Sequence, residues 1–157
     1  MEDRKGNLWF CTNAGLFRLN GDSLHYSSAE LGLQSNVVNR IIESEKGGYW
    51  FSAKEGLYHL NGNKLKNITE SILDLGKGIG AVGEDYKGQI YFVLNQHELY
   101  VYDGEKIKAL DKPEKNPGPV VYQIYKDKDD RLWFLGFGGA YRLEDGKFVK
   151  VTKRGPW

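Results

Sequence analysis

The chain repeats itself every 41 or 42 residues, and that period decides most of what it can fold into. Four segments align on an aromatic pair: Gly6-Asn7-Leu8-Trp9-Phe10, Gly47-Gly48-Tyr49-Trp50-Phe51, Gly88-Gln89-Ile90-Tyr91-Phe92 and Asp130-Arg131-Leu132-Trp133-Phe134. A second motif follows in step. It reads Gly15-Leu16-Phe17-Arg18-Leu19-Asn20-Gly21, then Gly56-Leu57-Tyr58-His59-Leu60-Asn61-Gly62, and it recurs with one extra residue ahead of Asp103-Gly104 and Asp145-Gly146.

Each full repeat divides into four short apolar or β-branched runs separated by turn residues. In the second repeat these are 37–43, 49–53, 56–60 and 64–68. Asn-Gly and Asp-Gly between the third and fourth runs predict tight hairpins in which both central residues take positive φ. The second runs do not alternate apolar with polar, so both faces are expected to be buried. Four antiparallel strands per repeat of this length is the arithmetic of a β-propeller blade. A solenoid of hairpins is the structural alternative. The expected fold class is all-β: blades at 1–28 (partial), 36–70, 78–111 and 119–152, forming one propeller segment over 1–157. The first copy starts in the turn before its second strand. A segment of a larger propeller, or one assembled from several chains, is therefore expected, with open apolar blade faces that self-associate.

Composition supports this and excludes other classes. The 20 Gly and the 21 aromatic residues (10 Tyr, 7 Phe, 4 Trp) suit short strands and tight turns and oppose disorder. With 22 Lys+Arg against 21 Asp+Glu, the net charge of +1 lacks the basic excess of a nucleic-acid binder. Cys11 is alone and sits in an apolar run, which predicts a small buried residue and no disulfide. No apolar run approaches the length of a membrane helix, and no apolar leader follows Met1.

Glu2-Asp3-x-x-Gly6-x-Leu8-Trp9-Phe10 followed by Gly15-Leu16-Phe17-x-Leu19-Asn20-Gly21 resembles the two-component regulator propeller repeat, as does the inner-strand stretch Asn36 to Glu43. The third copy departs, with Tyr91 for Trp and His97-Glu98 for Gly-Leu. The fourth has Asp130 where Gly is usual and Gly139-Ala140 for Gly-Leu. The resemblance implies a sensor. In this family such repeats fill the extracytoplasmic, periplasmic half of hybrid two-component histidine kinases, and many members respond to oligosaccharides. None of the three His residues is assigned the phospho-accepting role of a kinase.

Propeller ligands commonly sit at one mouth of the central channel. The loops between second and third strands place Asn13, Lys54, Gln96 and His97 there as hydrogen-bonding groups and Phe137 as a stacking ring for a sugar. Asn39 and Arg40 on the inner strand of the second copy, and Tyr122 and Gln123 at the matching places of the last, are expected to point into the channel. The competing reading makes all of these solvated loop and wall residues. The Trp and Phe anchors are expected to pack between blades. The Asp of the turns at 3–6, 85–88 and 127–130 is expected to cap the turn and hold no metal, because Lys is interleaved with it. Asn67-Ile68-Thr69 fits the N-glycosylation pattern and is expected to stay idle. No cofactor and no catalytic residue is expected. A protein-interaction scaffold and a lyase-type propeller enzyme, like the streptogramin lyases, are the alternative functions.

Overall fold

The computed structural model describes residues 1–33, 36–70, 78–110, 120–144 and 147–151. The Asp145-Gly146 hairpin and the outer limits of the third and fourth expected blades lie outside the described residues. Fifteen strands and one short helix are present among them. The first sheet runs β1 (Leu8–Thr12), β2 (Gly15–Asn20), β3 (Ser23–Tyr26). The second runs β4 (Val38–Glu43), β5 (Tyr49–Ala53), β6 (Gly56–Asn61), β7 (Lys64–Asn67). The third is β8 (Ile79–Glu84), β9 (Ile90–Leu94), β10 (Glu98–Tyr102), β11 (Ile107–Ala109). The fourth is β12 (Val121–Lys126), β13 (Leu132–Gly136), β14 (Gly139–Glu144), β15 (Lys147–Val151). Each sheet is one repeat, and its strands follow in chain order. An isolated antiparallel bridge between Glu2 and Leu8 lies beside β1.

The chain divides into two compact units, Met1–Val82 and Gly83–Trp157, with the division inside β8. In the first unit Trp9, Leu16, Val38, Ile41, Phe51, Tyr58 and Leu60 form one core. Its centre is an edge-on contact between Trp9 and Phe51, with ring centroids 6.2 Å apart at 61°. The second unit repeats the contact with Tyr91 and Phe134, 5.9 Å apart at 77°. In each pair the first ring comes from one sheet and the Phe from the next. This is the packing expected of the anchors, with one correction. Phe51, Phe92 and Phe134 are fully buried, but Phe10 is 45% exposed. In β1 only Trp9 is fully inside, so that strand is not buried on both faces.

The turn before each second strand is held by a side chain. The Asp3 carboxylate accepts the N–H groups of Lys5 (3.0 Å) and Asn7 (2.9 Å), the Trp9 indole N–H (2.8 Å) and the Tyr49 hydroxyl (2.8 Å). Asp85 accepts the N–H groups of Lys87 and Gln89 and the Tyr91 hydroxyl (3.3 Å). Asp127 accepts those of Asp129 and Arg131 and the Trp133 indole N–H (2.7 Å). The second repeat substitutes Ser44, whose Oγ accepts the Lys46 N–H. The carboxylate thus joins the turn to the ring six residues later, the capping role expected of these Asp residues.

Three turns differ from expectation. Asn20 pairs with Ser23 and Asn61 with Lys64, so the central residues are Gly21-Asp22 and Gly62-Asn63. Only the glycines have positive φ, the Gly-first arrangement of type II′. The Asp103-Gly104 turn is longer, because Tyr102 pairs with Ile107. The helix α1 (Ser27–Leu31), unforeseen in the sequence, follows β3 and stops at Gly32 in the left-handed conformation. Its Ser28 hydroxyl accepts the Leu16 N–H (2.7 Å), as Thr69 does for Leu57 (3.0 Å). The glycosylation-pattern Asn67 is engaged internally, donating to the Glu55 carbonyl and accepting the Thr69 N–H.

Asp130 occupies the place of Gly6, Gly47 and Gly88 and shares their positive φ, at 60°. Its contact to Lys126 is exposed and long, 3.5 Å, and contributes little. Replacing Asp130 with Gly relieves the left-handed strain and is expected to stabilise the fold by about 1 kcal/mol in denaturant titration.

Burial raises the Asp3 carboxyl pKa, but the bonds from Trp9, Asn7 and Tyr49 outweigh it and hold the group well below the usual carboxylate range. The Lys106 and Glu105 N–H groups and Lys108 bring Asp103 down to about 2. A carboxyl depressed by folding stabilises fully above its unfolded pKa of about 4, and that contribution is lost as the pH falls through the folded value. Thermal midpoints are therefore expected to be flat from neutral pH to about 5 and to fall steeply below 4. Asp3→Ala leaves buried donors unpaired and is expected to lower stability at pH 7 by about 1–3 kcal/mol.

Candidate functional site

The inner strands carry a feature that period-2 reading misses. In β4, Val38 pairs with Ala53 and Arg40 with Ser52, so Asn39 is an extra, bulged residue. In β12, Val121 pairs with Gly136 and Gln123 with Leu135, which leaves Tyr122 as the bulge. Both bulges give the same exposure pattern, with two exposed residues between buried ones: Val38-Asn39-Arg40-Ile41 and Val121-Tyr122-Gln123-Ile124. A bulge bends its strand and re-aims the side chain it carries.

In the first unit the Asn39 amide nitrogen donates to the Ile79 carbonyl at 2.7 Å, and the Ser52 hydroxyl to that of Gly80 at 2.6 Å. These side chains satisfy carbonyls of β8, the wall role weighed for the inner-strand residues. Arg40 is exposed beside them. It lies near enough to Cys11 to oppose its desolvation, yet burial dominates and pushes the thiol up to about 11. Cys11 is half-buried, less enclosed than expected. Lys54, exposed in the β5–β6 loop, has its N–H on the Val37 carbonyl (3.1 Å). Asn13 is exposed in the β1–β2 loop, where Thr12 accepts the Ala14 N–H and donates to the Gly15 carbonyl.

The second unit brings predicted residues into contact. The rings of Tyr122 and Phe137 meet edge to face, centroids 5.1 Å apart at 74°, although Tyr122 is 46% and Phe137 69% exposed. Backbone bonds fix the pair: the Val121 N–H donates to the Gln96 carbonyl, and the Phe137 N–H to the Val120 carbonyl, both at 3.0 Å. Asn95 and Gln96 adopt positive φ, the strained conformation that carries the Gln96 carbonyl to this bond. His97 has its Nδ1 buried without a hydrogen-bond partner, so that nitrogen does not face solvent. Gln123 is exposed next to Tyr122. The seven expected residues therefore fall as Asn13, Arg40 and Lys54 in one unit and Gln96, His97, Tyr122 and Phe137 in the other.

Two clefts lie elsewhere. One in the first unit, about 910 Å³, is lined by Arg4, Lys5, Asn7, Trp9, Arg18 and Tyr49 among others. One in the second, about 800 Å³, is lined by Asp85, Lys87, Tyr91, Asp129, Arg131 and neighbours. Both sit at the capped turns between successive sheets, and neither contains an expected site residue. Among the described residues no three His, Cys, Asp or Glu gather as metal ligands. No helix among them is long and apolar enough to cross a membrane.

The stretch 116–138, which holds β12 with its bulge and the loop of Phe137, matches the sequence model of the two component regulator propeller. Over that stretch the chain is similar to a two component regulator propeller repeat. No curated protein sequence matches the chain. Solved structures share its fold. Virginiamycin B lyase from Staphylococcus aureus is 21% identical, with a TM-score of 0.73 over 96% of this chain and 54% of the lyase. The extracellular domain of a hybrid two component system from B. thetaiotaomicron is 19% identical, with a TM-score of 0.68 over 88% of this chain and 20% of that one. A second such domain is 20% identical, with a TM-score of 0.66 over 98% and 22%. The chain thus spans about half the length of the lyase and about a fifth of the sensor domains. Its fold is that of propeller blades, all-β as expected.

The bulge of β12 depends on a close approach of backbone. A Cβ on Gly136 would lie 1.7 Å from the Val120 carbonyl oxygen, the atom that accepts the Phe137 N–H. Gly136→Ala is expected to lower the unfolding free energy by about 2 kcal/mol or more and to weaken the Tyr122–Phe137 ring contact, seen as a shift of the Tyr122 ring resonances.

Proposed function

We propose that this chain is a ligand-sensing segment of an extracytoplasmic, periplasmic propeller in a two-component sensor kinase, and that it contacts an oligosaccharide without transforming it. The observation that carries this reading is the exposed Tyr122–Phe137 pair. Two large rings are held in fixed orientation by backbone bonds while a large part of each faces water. Leaving ordered apolar surface in water is unfavourable, and such surface marks recognition sites. A pyranose offers apolar C–H faces to a ring and hydroxyls to amides, and Gln123 and the Gln96 loop lie beside the pair. A near-neutral chain suits a neutral ligand. The family repeat falls on this same stretch, and similar folds occur in extracellular domains of hybrid two component systems.

Signalling then follows from differential affinity. The ligand favours one arrangement of the extracytoplasmic region over another, and the kinase reads the shift in population.

Titration calorimetry against a panel of neutral oligosaccharides is expected to find one that binds. Phe137→Ala and Tyr122→Ala are expected to weaken that binding about tenfold or more each, with unchanged circular dichroism. A polypeptide ligand in place of any sugar would move the assignment to an interaction scaffold.

A further inference from the structure

The cleft of the first unit, between the first and second sheets, is lined by two polar atoms that the fold leaves without partners. Arg18 lies on β2 and Ser27 follows β3, and both line the cleft. The Arg18 Nε and the Ser27 Oγ are buried and have no hydrogen-bond partner, and Ser27 is only 2% exposed. A buried donor without an acceptor is costly, so such a pair calls for an occupant.

The other repeats show that the architecture asks for neither group. Ser28 and Thr69 hold equivalent places, accepting the N–H groups of Leu16 and Leu57. Ile68 therefore stands where Ser27 does. Its N–H donates to the Leu57 carbonyl, as the Leu110 N–H does to that of Leu99, both at 2.8 Å, which makes Leu110 the counterpart in the third sheet. Both counterparts are apolar. Arg18 pairs with Trp9 across the strands, as Arg142 pairs with Trp133. The Arg142 Nε, however, donates to the carboxylate of Glu144. The residue two places after Arg18 is Asn20, which has no charge to offer. A carboxylate is thus what the fourth sheet supplies to its Arg and the first sheet lacks.

Charge and shape agree. Arg4, Lys5 and Arg18 line the cleft together with Glu30 and Glu43, and Arg4 already engages Glu43 at 3.1 Å. That leaves Lys5 and Arg18 against Glu30 alone. The Arg18 guanidinium lies 5.5 Å from the Trp9 ring centre, a contact that orders it before any ligand arrives. The volume of about 910 Å³ is of the size that takes a small molecule.

We propose that this cleft binds a small organic acid, whose carboxylate accepts the Arg18 Nε–H and the Ser27 hydroxyl while its carbon body lies among Leu31, Tyr49 and Leu60. The ligand does for Arg18 what Glu144 does for Arg142. The site shares no residue with the Tyr122–Phe137 pair, so either can fail without the other.

Heteronuclear NMR of the 157-residue chain reads the cleft through the Trp9 indole N–H and the Ser27 amide. Acetate, succinate, benzoate and glucuronate are titrated at constant ionic strength, with glucose and inorganic phosphate alongside. At least one carboxylate is expected to shift both signals saturably, and glucose to leave them unmoved. Arg18→Gln and Ser27→Ala are each expected to weaken that binding about tenfold. Ser27→Ala is also expected to leave the thermal midpoint unchanged or raised, because its hydroxyl makes no bond within the fold, whereas a structural hydroxyl would lower it. No saturable shift by any of the four acids overturns the proposal, as does an equal shift by glucose. Phosphate binding as tightly as the best carboxylate rejects the carboxylate assignment. Should Arg18→Gln unfold, Ser27→Ala decides alone: undiminished binding, or a lowered thermal midpoint, rejects the site.

Discussion

A ring edge set against a ring face, passed from one sheet to the next, is the interaction on which the rest depends. Trp9 receives Phe51, and Tyr91 receives Phe134. Both residues of the Trp-Phe pair come from one strand and point to opposite faces, so a single strand can receive on one side and insert on the other. That is why the pair sits in the second strand of every repeat. Phe10 and Trp133 are left partly in water.

The capped turn orients the receiving ring. An indole N–H buried without an acceptor is costly, and a carboxylate six residues earlier accepts it. The same carboxylate gathers the N–H groups of the turn, so one Asp fixes the hairpin and the ring together. The third repeat keeps the device with a phenol in place of indole. The second replaces the Asp by Ser44 and stacks Trp50 on His59, 4.1 Å apart and nearly parallel. Repeats of one architecture thus tolerate different polar solutions, provided the ring stays in place.

The opposite ends of the strands differ in kind. There the bulges at Asn39 and Tyr122 break the alternation of side chains and turn two neighbouring residues outward. In β4 the bulged side chain is spent on the carbonyl of Ile79. In β12 it is Tyr122, which meets Phe137 and remains exposed. One backbone irregularity therefore serves the wall in one blade and displays an aromatic surface in another. The difference lies in one side chain, which is how a repeat scaffold varies its recognition without changing its core.

The period of 41 to 42 residues, the strands and their order were legible from the sequence, because hydrophobic runs and Gly-containing turns are local signals. The capping Asp was legible too, since its partners in the turn and the ring after it lie within six residues; only the Tyr49 hydroxyl reaches Asp3 from afar. Of the site, the sequence singled out Tyr122 and Phe137 separately, but fourteen residues lie between them and nothing local joins them. Their contact needs the bulge, and the bulge needs Gly136 close to Val120, a fit between two strands. The Val-x-x-Ile spacing of Val38 to Ile41 and Val121 to Ile124 was the available clue, because period-2 alternation does not place buried residues three apart. Tertiary structure alone decided that Phe10 stays exposed while Phe51, Phe92 and Phe134 are buried. Identical local sequence fixes where a ring points, but burial depends on whether another sheet lies across from it.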